Sequence, residues 1–271
     1  MKSVIVTGAS SGIGRNAALV LANAGYRVFG LARNYDRLSE ISNELKGAEQ
    51  FHPLRCDITR QENFGSMVSE IASHGQVFGL VNCAGYVEPG AIEDLSMDGL
   101  RLEFETNFFG LVALTKHVIP LMVARREGRI VNVSSLAGLI SLPLIGAYCA
   151  SKHALEAVSE AMRIELWNTG IRVVSINPGV IETNIHGVTA DKISDIKGSR
   201  FANAYRKYLE NVPRGLEAIT VGQAILDAIT SGNPRRRYVI GSMKEKAGVR
   251  LRPYVPDSIY YPQISKRLFP S

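Results

Sequence analysis

Tyr148 and Lys152 stand four residues apart in the run Tyr148-Cys149-Ala150-Ser151-Lys152. On a helix that spacing puts both side chains on one face, so a phenol and an ammonium can converge. Ser135 lies thirteen residues upstream of Tyr148, just after the apolar run Ile130-Val131-Asn132-Val133. These residue types suit proton transfer at a carbonyl or alcohol oxygen. A free phenol has a pKa of about 10 and is a slow base at neutral pH. A cation about 4 Å away is worth roughly 4 kcal/mol at an effective dielectric near 20, or about three pKa units before desolvation. Lys152 is therefore expected to bring Tyr148 into the range of general acid/base work. Ser135 would donate a hydrogen bond as negative charge develops on the substrate oxygen. A Tyr-x-x-x-Lys pair alone is common on exposed helices; the serine at an upstream strand end is what gives this one weight.

Reducing a ketone also requires a hydride, and the start of the chain offers a place for a hydride carrier. The first apolar run, Val4-Ile5-Val6, feeds Thr7-Gly8-Ala9-Ser10-Ser11-Gly12-Ile13-Gly14 and then a helix-like stretch. Glycines let the backbone turn sharply and let a pyrophosphate approach, and the helix N-terminus supplies unpaired N–H groups. The second strand ends in Ala32-Arg33. NAD-binding chains usually carry an acid where Ala32 stands; its loss removes repulsion of a 2′-phosphate, and a guanidinium can bind that phosphate. The expected cofactor is thus NADP(H), with Arg33 on the phosphate and Ser10 or Ser11 adding a hydroxyl. Asp57, at a strand end before a helix, reads from its position as a cap.

The glycine spacing G-x-x-x-G-x-G after Thr7 resembles that of the short-chain dehydrogenase/reductase family. So do Asn82-Cys83-Ala84-Gly85, Asn132-Val133-Ser134-Ser135, Tyr148-x-x-x-Lys152 and Asn177-Pro178-Gly179 with Thr183, in order and spacing. The second residue of Asn82-Cys83-Ala84-Gly85 departs from the family's Asn. The resemblance covers about residues 1 to 241 and implies a catalytic set of Asn107, Ser135, Tyr148 and Lys152, with Asn107 anchoring a water that links Lys152 to solvent. It implies a cofactor bed of Gly8, Ser10, Ser11, Gly12, Ile13, Gly14, Arg33, Asp57, Asn82, Ala84, Gly85, Tyr148 and Lys152. Pro178, Gly179, Ile181 and Thr183 would orient the carboxamide. Leu142-Pro143-Leu144 and the run from Tyr148 to Leu155 resemble the branch holding 17β-hydroxysteroid and retinol dehydrogenases. The family's usual homodimer or homotetramer is expected.

To position these groups, short strand-like runs must alternate with amphipathic stretches. The runs are Ser3–Thr7, Arg27–Leu31, Gln50–Arg55, Val77–Asn82, Arg129–Ser134, Arg172–Ile176 and Arg237–Ile240. Helices are expected over Ile13–Ala24, Arg37–Lys46, Gln61–His74, Asp98–Arg126, Tyr148–Thr169 and Val221–Ser231. The strands are apolar on both faces, as parallel strands covered by helices are. The pattern predicts an α/β, doubly wound (Rossmann) parallel sheet of about seven strands with helices on both faces. One domain over 1–241 carries a substrate-loop insert at 184–215, followed by a C-terminal tail at 242–271.

The 271 residues carry 46% hydrophobic and 21% charged residues, a balance that fits a globular protein rather than a disordered one. The formal net charge is +6, with the basic residues spread out and no nucleic-acid motif, so nucleic acid is not an expected partner. Three cysteines, Cys56, Cys83 and Cys149, form no C-x-x-C pair and fit a reducing compartment. His52, His74, His117, His153 and His186 show no ligand spacing, and no metal is expected. With no cleavable signal and no apolar run long enough to span a bilayer, cytoplasmic location is expected. Substrate contacts are expected from Ser135, Ala137, Leu142, Ile145, Tyr148, Ile185 and His186, with Val87, Leu136 and Leu144 nearby. This mainly apolar set points to a hydrophobic ketone or alcohol. The basic tail could dock on an anionic membrane, but closing the pocket or packing on a neighbouring subunit is expected instead. The alternative to an enzyme is a non-catalytic NADP-sensing protein of the same fold, against which the intact Asn107, Ser135, Tyr148 and Lys152 argue.

Overall fold

The protein is described by a computed structural model covering residues 1–45, 50–183, 185–210 and 215–268; the side chains of Ile185, His186, Val188, Arg267 and Leu268 lie outside that description. The chain runs β1 (Lys2–Thr7), α1 (Gly12–Asn23), β2 (Arg27–Ala32), α2 (Tyr35–Glu44), β3 (Phe51–Arg55), α3 (Phe64–Ser73) and β4 (Gln76–Asn82). It continues with α4 (Met97–Phe104), α5 (Gly110–Arg125), β5 (Gly128–Val133), α6 (Gly146–Glu165) and β6 (Ile171–Pro178). Then follow β7 (Ile181–Glu182), α7 (Ile185–Asp195), α8 (Ala202–Glu210), β8 (Leu216–Glu217), α9 (Ala218–Thr230), β9 (Arg237–Ile240), α10 (Met243–Leu251) and α11 (Asp257–Leu268).

Seven strands form one parallel sheet in the order β3-β2-β1-β4-β5-β6-β9. Residues alternate faces along each strand, so β1 sends Val4 and Val6 to one side and Ile5 to the other. On the first side α1, α2 and α9 bury Leu21, Leu38, Ile41 and Ile225. On the other side α3, α5 and α6 bury Phe64, Leu111, Leu114, Val118 and Leu155. The sheet order reverses between β1 and β4, and that switch point opens a crevice at the strand C-termini.

Three features refine the sequence reading. The single helix expected over Asp98–Arg126 is broken into α4 and α5 by a π-helical turn, Glu105–Phe109, that carries Asn107. This whole stretch, Met97–Arg125, is 29 residues long and apolar enough by composition to cross a bilayer, contrary to the expectation that no such run exists. Its α5 part packs along the sheet, with Leu111, Leu114, Val118 and Met122 buried. The described part of the insert carries two helices, α7 and α8. α7 and α8 pack a small separate core of Ile193, Ala204 and Tyr205 onto Ala91 and Leu144, and β7 pairs with β8 beneath it. The tail folds as two helices; α10 starts with a capping box between Ser242 and Glu245.

Candidate active site

The phosphate turn is fixed from below. The Thr7 hydroxyl oxygen accepts from the backbone N–H groups of Cys83 and Ala84, both at 2.9 Å, which joins the ends of β1 and β4. Gly8 has φ +67°, and a Cβ there would stand 2.9 Å from the Ala84 Cα. A Cβ on Gly14 would run into the Gly8 carbonyl. Only glycine permits this closeness of turn, helix and neighbouring strand. Ser11 is the N-cap of α1 but its side chain makes no cap bond, so the first-turn N–H groups are left to face the crevice.

A groove of about 470 Å³ follows from there. Gly8, Ser10, Ser11, Gly12, Ile13 and Gly14 form one wall. Ala84, Gly85, Tyr148, Lys152 and Thr183 line its far end, and Arg33 and Asp57 line the other. Arg37, which the sequence reading overlooked, stands beside Arg33; Asn34 caps the helix that presents it by accepting from the Arg37 N–H at 3.0 Å. The two guanidiniums with no acid at Ala32 fit a phosphorylated ribose. One Asp57 oxygen accepts from Thr59 N at 3.0 Å and Thr59 Oγ1 at 2.8 Å. Burial acts to raise the Asp57 carboxyl, but these bonds and nearby Arg33 and Arg60 hold it below its ordinary value. The glycine cradle, the open helix N-terminus and the basic end together fit NADP(H).

Asn82 does not belong to the groove. It is buried, and its amide donates to Thr115 Oγ1 at 2.9 Å and to Asn132 Oδ1 at 2.8 Å. Asn132 in turn donates to Ser159 Oγ at 2.7 Å. This chain ties β4 and β5 to α5 and α6, so Asn82 braces the sheet against the helices and is not among the residues that line the groove.

Ser135 follows β5; its hydroxyl donates to Pro178 O at 3.4 Å and accepts from Ala137 N at 3.1 Å, and it acts to lower the Tyr148 phenol beside it. Asn107 is fully buried in the π turn. Its Oδ1 accepts from Tyr86 N at 3.0 Å, and its Nδ2 donates to Tyr86 O at 2.9 Å and Ser151 Oγ at 3.1 Å. It thus brackets the segment after β4 to the helix that bears Tyr148 and Lys152. The Lys152 ammonium donates to Val133 O at 3.0 Å and lies 5.7 Å from the centre of the Tyr148 ring. Electrostatics run against the expectation that Lys152 lowers the Tyr148 phenol into the range of general acid/base work. Burial pushes Tyr148 up to about 12, outweighing the Ser135 hydrogen bond that lowers it. Burial also brings Lys152 down to about 8, although Cys83, Glu103 and Glu156 act to raise it. Low polarity disfavours both charged forms, and the cation spends its hydrogen bond on Val133 rather than on the phenol.

Beyond Tyr148 opens a second, larger cavity of about 920 Å³. Of the expected substrate contacts, Ser135, Ala137, Leu142, Ile145 and Tyr148 line it, with Val87 and Leu136. Pro178, Gly179 and Ile181 also line this cavity and not the groove; Thr183 and Tyr148 border both. Leu144 turns away. Its backbone adopts φ +67°, and its side chain joins the core of the insert. The expected contacts of Ile185 and His186 fall on side chains outside the described residues. Glu245, from the tail, was not foreseen: its Oε1 accepts from Val180 N at 2.9 Å and lies against Gly179.

The family model for short chain dehydrogenase matches residues 2–193. The chain belongs to the short-chain dehydrogenase family. Among curated relatives, dehydrogenase/reductase SDR family member 7B of Mus musculus is 37% identical over 266 residues, covering 95% of this chain and 75% of that protein. Uncharacterized oxidoreductase YusZ of Bacillus subtilis is 33% identical, with 99% of each chain covered. Of solved structures, a short-chain dehydrogenase from Streptomyces avermitilis superposes with a TM-score of 0.79 at 28% identity, covering 98% of this chain and 95% of that one. An actinorhodin polyketide ketoreductase variant with NADPH reaches 0.76 at 30% identity, covering 88% and 94%.

Proposed function

We propose that this short-chain dehydrogenase uses NADP(H) to interconvert an apolar ketone or aldehyde and its alcohol, with Tyr148 as the proton donor and acceptor. The observation that carries this reading is the position of one side chain. Tyr148 borders both the groove that fits the dinucleotide and the apolar cavity, with the Ser135 hydroxyl beside it. When bound, the nicotinamide supplies or takes the hydride. Ser135 orients the substrate oxygen against the Tyr148 hydroxyl and donates to it as charge builds. In reduction, a phenol held neutral by burial is ready to give its proton. In oxidation Tyr148 must lose that proton, and the Lys152 ammonium beside the ring is the cation that steadies the phenolate. Arg33 and Arg37 select the phosphorylated cofactor. The cavity wall of Ala137, Leu142 and Ile145 favours an apolar substrate and keeps water off the reacting oxygen.

The test follows NADPH absorbance with a panel of ketones and aldehydes, including steroids, retinal and 3-oxoacyl thioesters. Wild-type protein should consume NADPH with at least one apolar carbonyl compound. Tyr148→Phe should lose turnover while its NADPH dissociation constant stays within about twofold. Carbonyl reduction that survives in that variant refutes the role of Tyr148. We also infer association with a second copy through the outer faces of α5 and α6, where Val123 and Ile164 are exposed, together with Phe109 just before α5 and Trp167 just after α6. Light scattering that gives a monomer mass at micromolar concentration overturns this.

A further inference from the structure

Glu103 is a buried acid that the reading above leaves without a task. It sits on α4 with 0% of its surface exposed. Its Oε1 accepts from the Glu88 backbone N–H at 3.1 Å. Its Oε2 is buried and has no hydrogen-bond partner among the described residues. Glu103 stands in the last turn of α4, four positions before Asn107 in the π turn that follows. They hold neighbouring parts of one segment: Asn107 grips Tyr86, and Glu103 grips Glu88. Gly85, at the start of that segment, lies against both the Asn107 Oδ1 and the Lys152 ammonium.

The charged and titratable groups around Glu103 come from three directions. Tyr86 and Glu88 lie on the segment after β4, Tyr148, Cys149 and Lys152 on α6, and Lys192 on α7, where it is ion-paired with Glu88. A buried carboxylate with one hydrogen bond and another carboxylate close by is costly to keep charged. Burial pushes Glu103 up to about 7; the bond from Glu88 N lowers it, the Glu88 charge raises it further, and Lys152 and Lys192 oppose that rise. Lys152 is brought down toward the same range from the other side. Whether Glu103 carries its charge therefore alters how firmly Lys152 keeps its own.

We propose that Glu103 is a further positioning residue of the active site, a buried carboxyl that exchanges a proton with solvent and, through its charge, sets the charge of Lys152 and the readiness of Tyr148 to ionise. Protonated Glu103 leaves the Lys152 ammonium with the Val133 carbonyl and the help of Cys83 and Glu156. Ionised Glu103 holds Lys152 in its charged form and opposes a second negative charge on Tyr148. The catalytic part of this inference rests on the proposed oxidoreductase function; the link between Glu103 and Lys152 does not.

The experiment separates the two. Unfolding stability is measured for wild type, Glu103→Gln, Lys152→Met and the double variant, at about pH 5.5 and about pH 7.5, to give a thermodynamic cycle at each pH. The two substitutions should be additive near pH 5.5, where Glu103 is neutral, and non-additive near pH 7.5. Additivity at both values, or the same coupling at both, overturns the proposal, because a purely structural contact would not change with pH. Glu103→Asp, which keeps the carboxyl, should restore the pH dependence if Glu103→Gln folds poorly. In turnover, Glu103→Gln should move the pH limb that reports Lys152 down by about one pH unit, with the KM for NADPH unchanged. An unmoved limb in an active enzyme sinks the catalytic part. If wild type reduces no carbonyl compound, the proposed function fails while the cycle still decides on Glu103.

Discussion

The Lys152 ammonium donates a hydrogen bond to the carbonyl oxygen of Val133, 3.0 Å away at the end of β5. The cation is thereby anchored to the strand end, one helical turn along α6 from the phenol it serves. Its distance from Tyr148 is a property of the sheet as much as of the helix. Lys152→Met keeps the stem and removes the charge. We expect kcat to fall at least about 100-fold, in line with the usual contribution of a group that supports acid/base work. Steady-state rates and direct NADPH titration check this; a variant within tenfold of wild type removes Lys152 from the mechanism.

The same lysine gives the ligand-free protein a signature in alkaline solution. Its folded value of about 8 lies below the ordinary 10.5. Between those values the unfolded chain holds a proton that the folded site has released, so stability rises with pH across that window. The full gain is on the order of 3 kcal/mol. Tyr148 acts in the opposite sense at higher pH, because its folded value of about 12 exceeds the ordinary 10 and the unfolded phenol ionises first. Urea midpoints should rise from pH 8 toward pH 10 in wild type, with Lys152→Met showing a smaller rise. Parallel curves for the two proteins contradict the buried ammonium.

At the basic end of the groove, Arg33 and Arg37 should act on one phosphate. Arg33→Ala should weaken NADPH binding by about tenfold or more, the loss of one charge-assisted contact worth about 1.4 kcal/mol, and leave NADH untouched. Arg37→Ala should do the same to a smaller degree. Fluorescence titration with both cofactors reads the ratio, and an equal loss for NADH would place these arginines elsewhere in the binding.

Asn82 offers a contrast between bracket and ligand. Replacing it with Ala leaves Thr115 and Asn132 short of a buried donor, at a cost of about 1–3 kcal/mol. Denaturant unfolding should show that loss, with the NADPH dissociation constant of the folded fraction little changed. The reverse pattern would return Asn82 to the cofactor bed.

The parts of the site that could be read from the sequence are those set by local geometry. Tyr148 and Lys152 share a helix face by spacing alone, and Ser135 ends a strand whose apolar residues are visible. The turn from Gly8 to Gly14 declares itself because its conformations exclude side chains. What escaped was set by contacts distant in sequence. Asn82 and Asp57 both follow strand-like runs, yet one points into the layer between sheet and helices and the other into the crevice; the difference depends on Thr115 and Asn132. Leu144 lies in an apolar run beside the site but is turned aside by a left-handed backbone that no composition reveals. Nothing in the sequence marks Glu103 off from other acids on a helix, because its burial depends on the segment after β4 and on α6 packing against α4. The break in the helix at Asn107 has no proline, and the glycine that follows it, Gly110, reads in the sequence as an ordinary helix residue.

The carboxylate of Glu245 reaches from the tail to the backbone of Val180, beside the glycine that follows β6. Two stretches of chain some sixty-five residues apart are thereby obliged to match. In the inheritance of such a chain they form one block: a recombination point anywhere between β6 and α10 would pair one parent's cavity floor with the other's latch. Shuffled chimeras of this protein with its relatives should survive when the crossover lies before Pro178 or after Leu251, and lose cofactor-dependent function when it falls between.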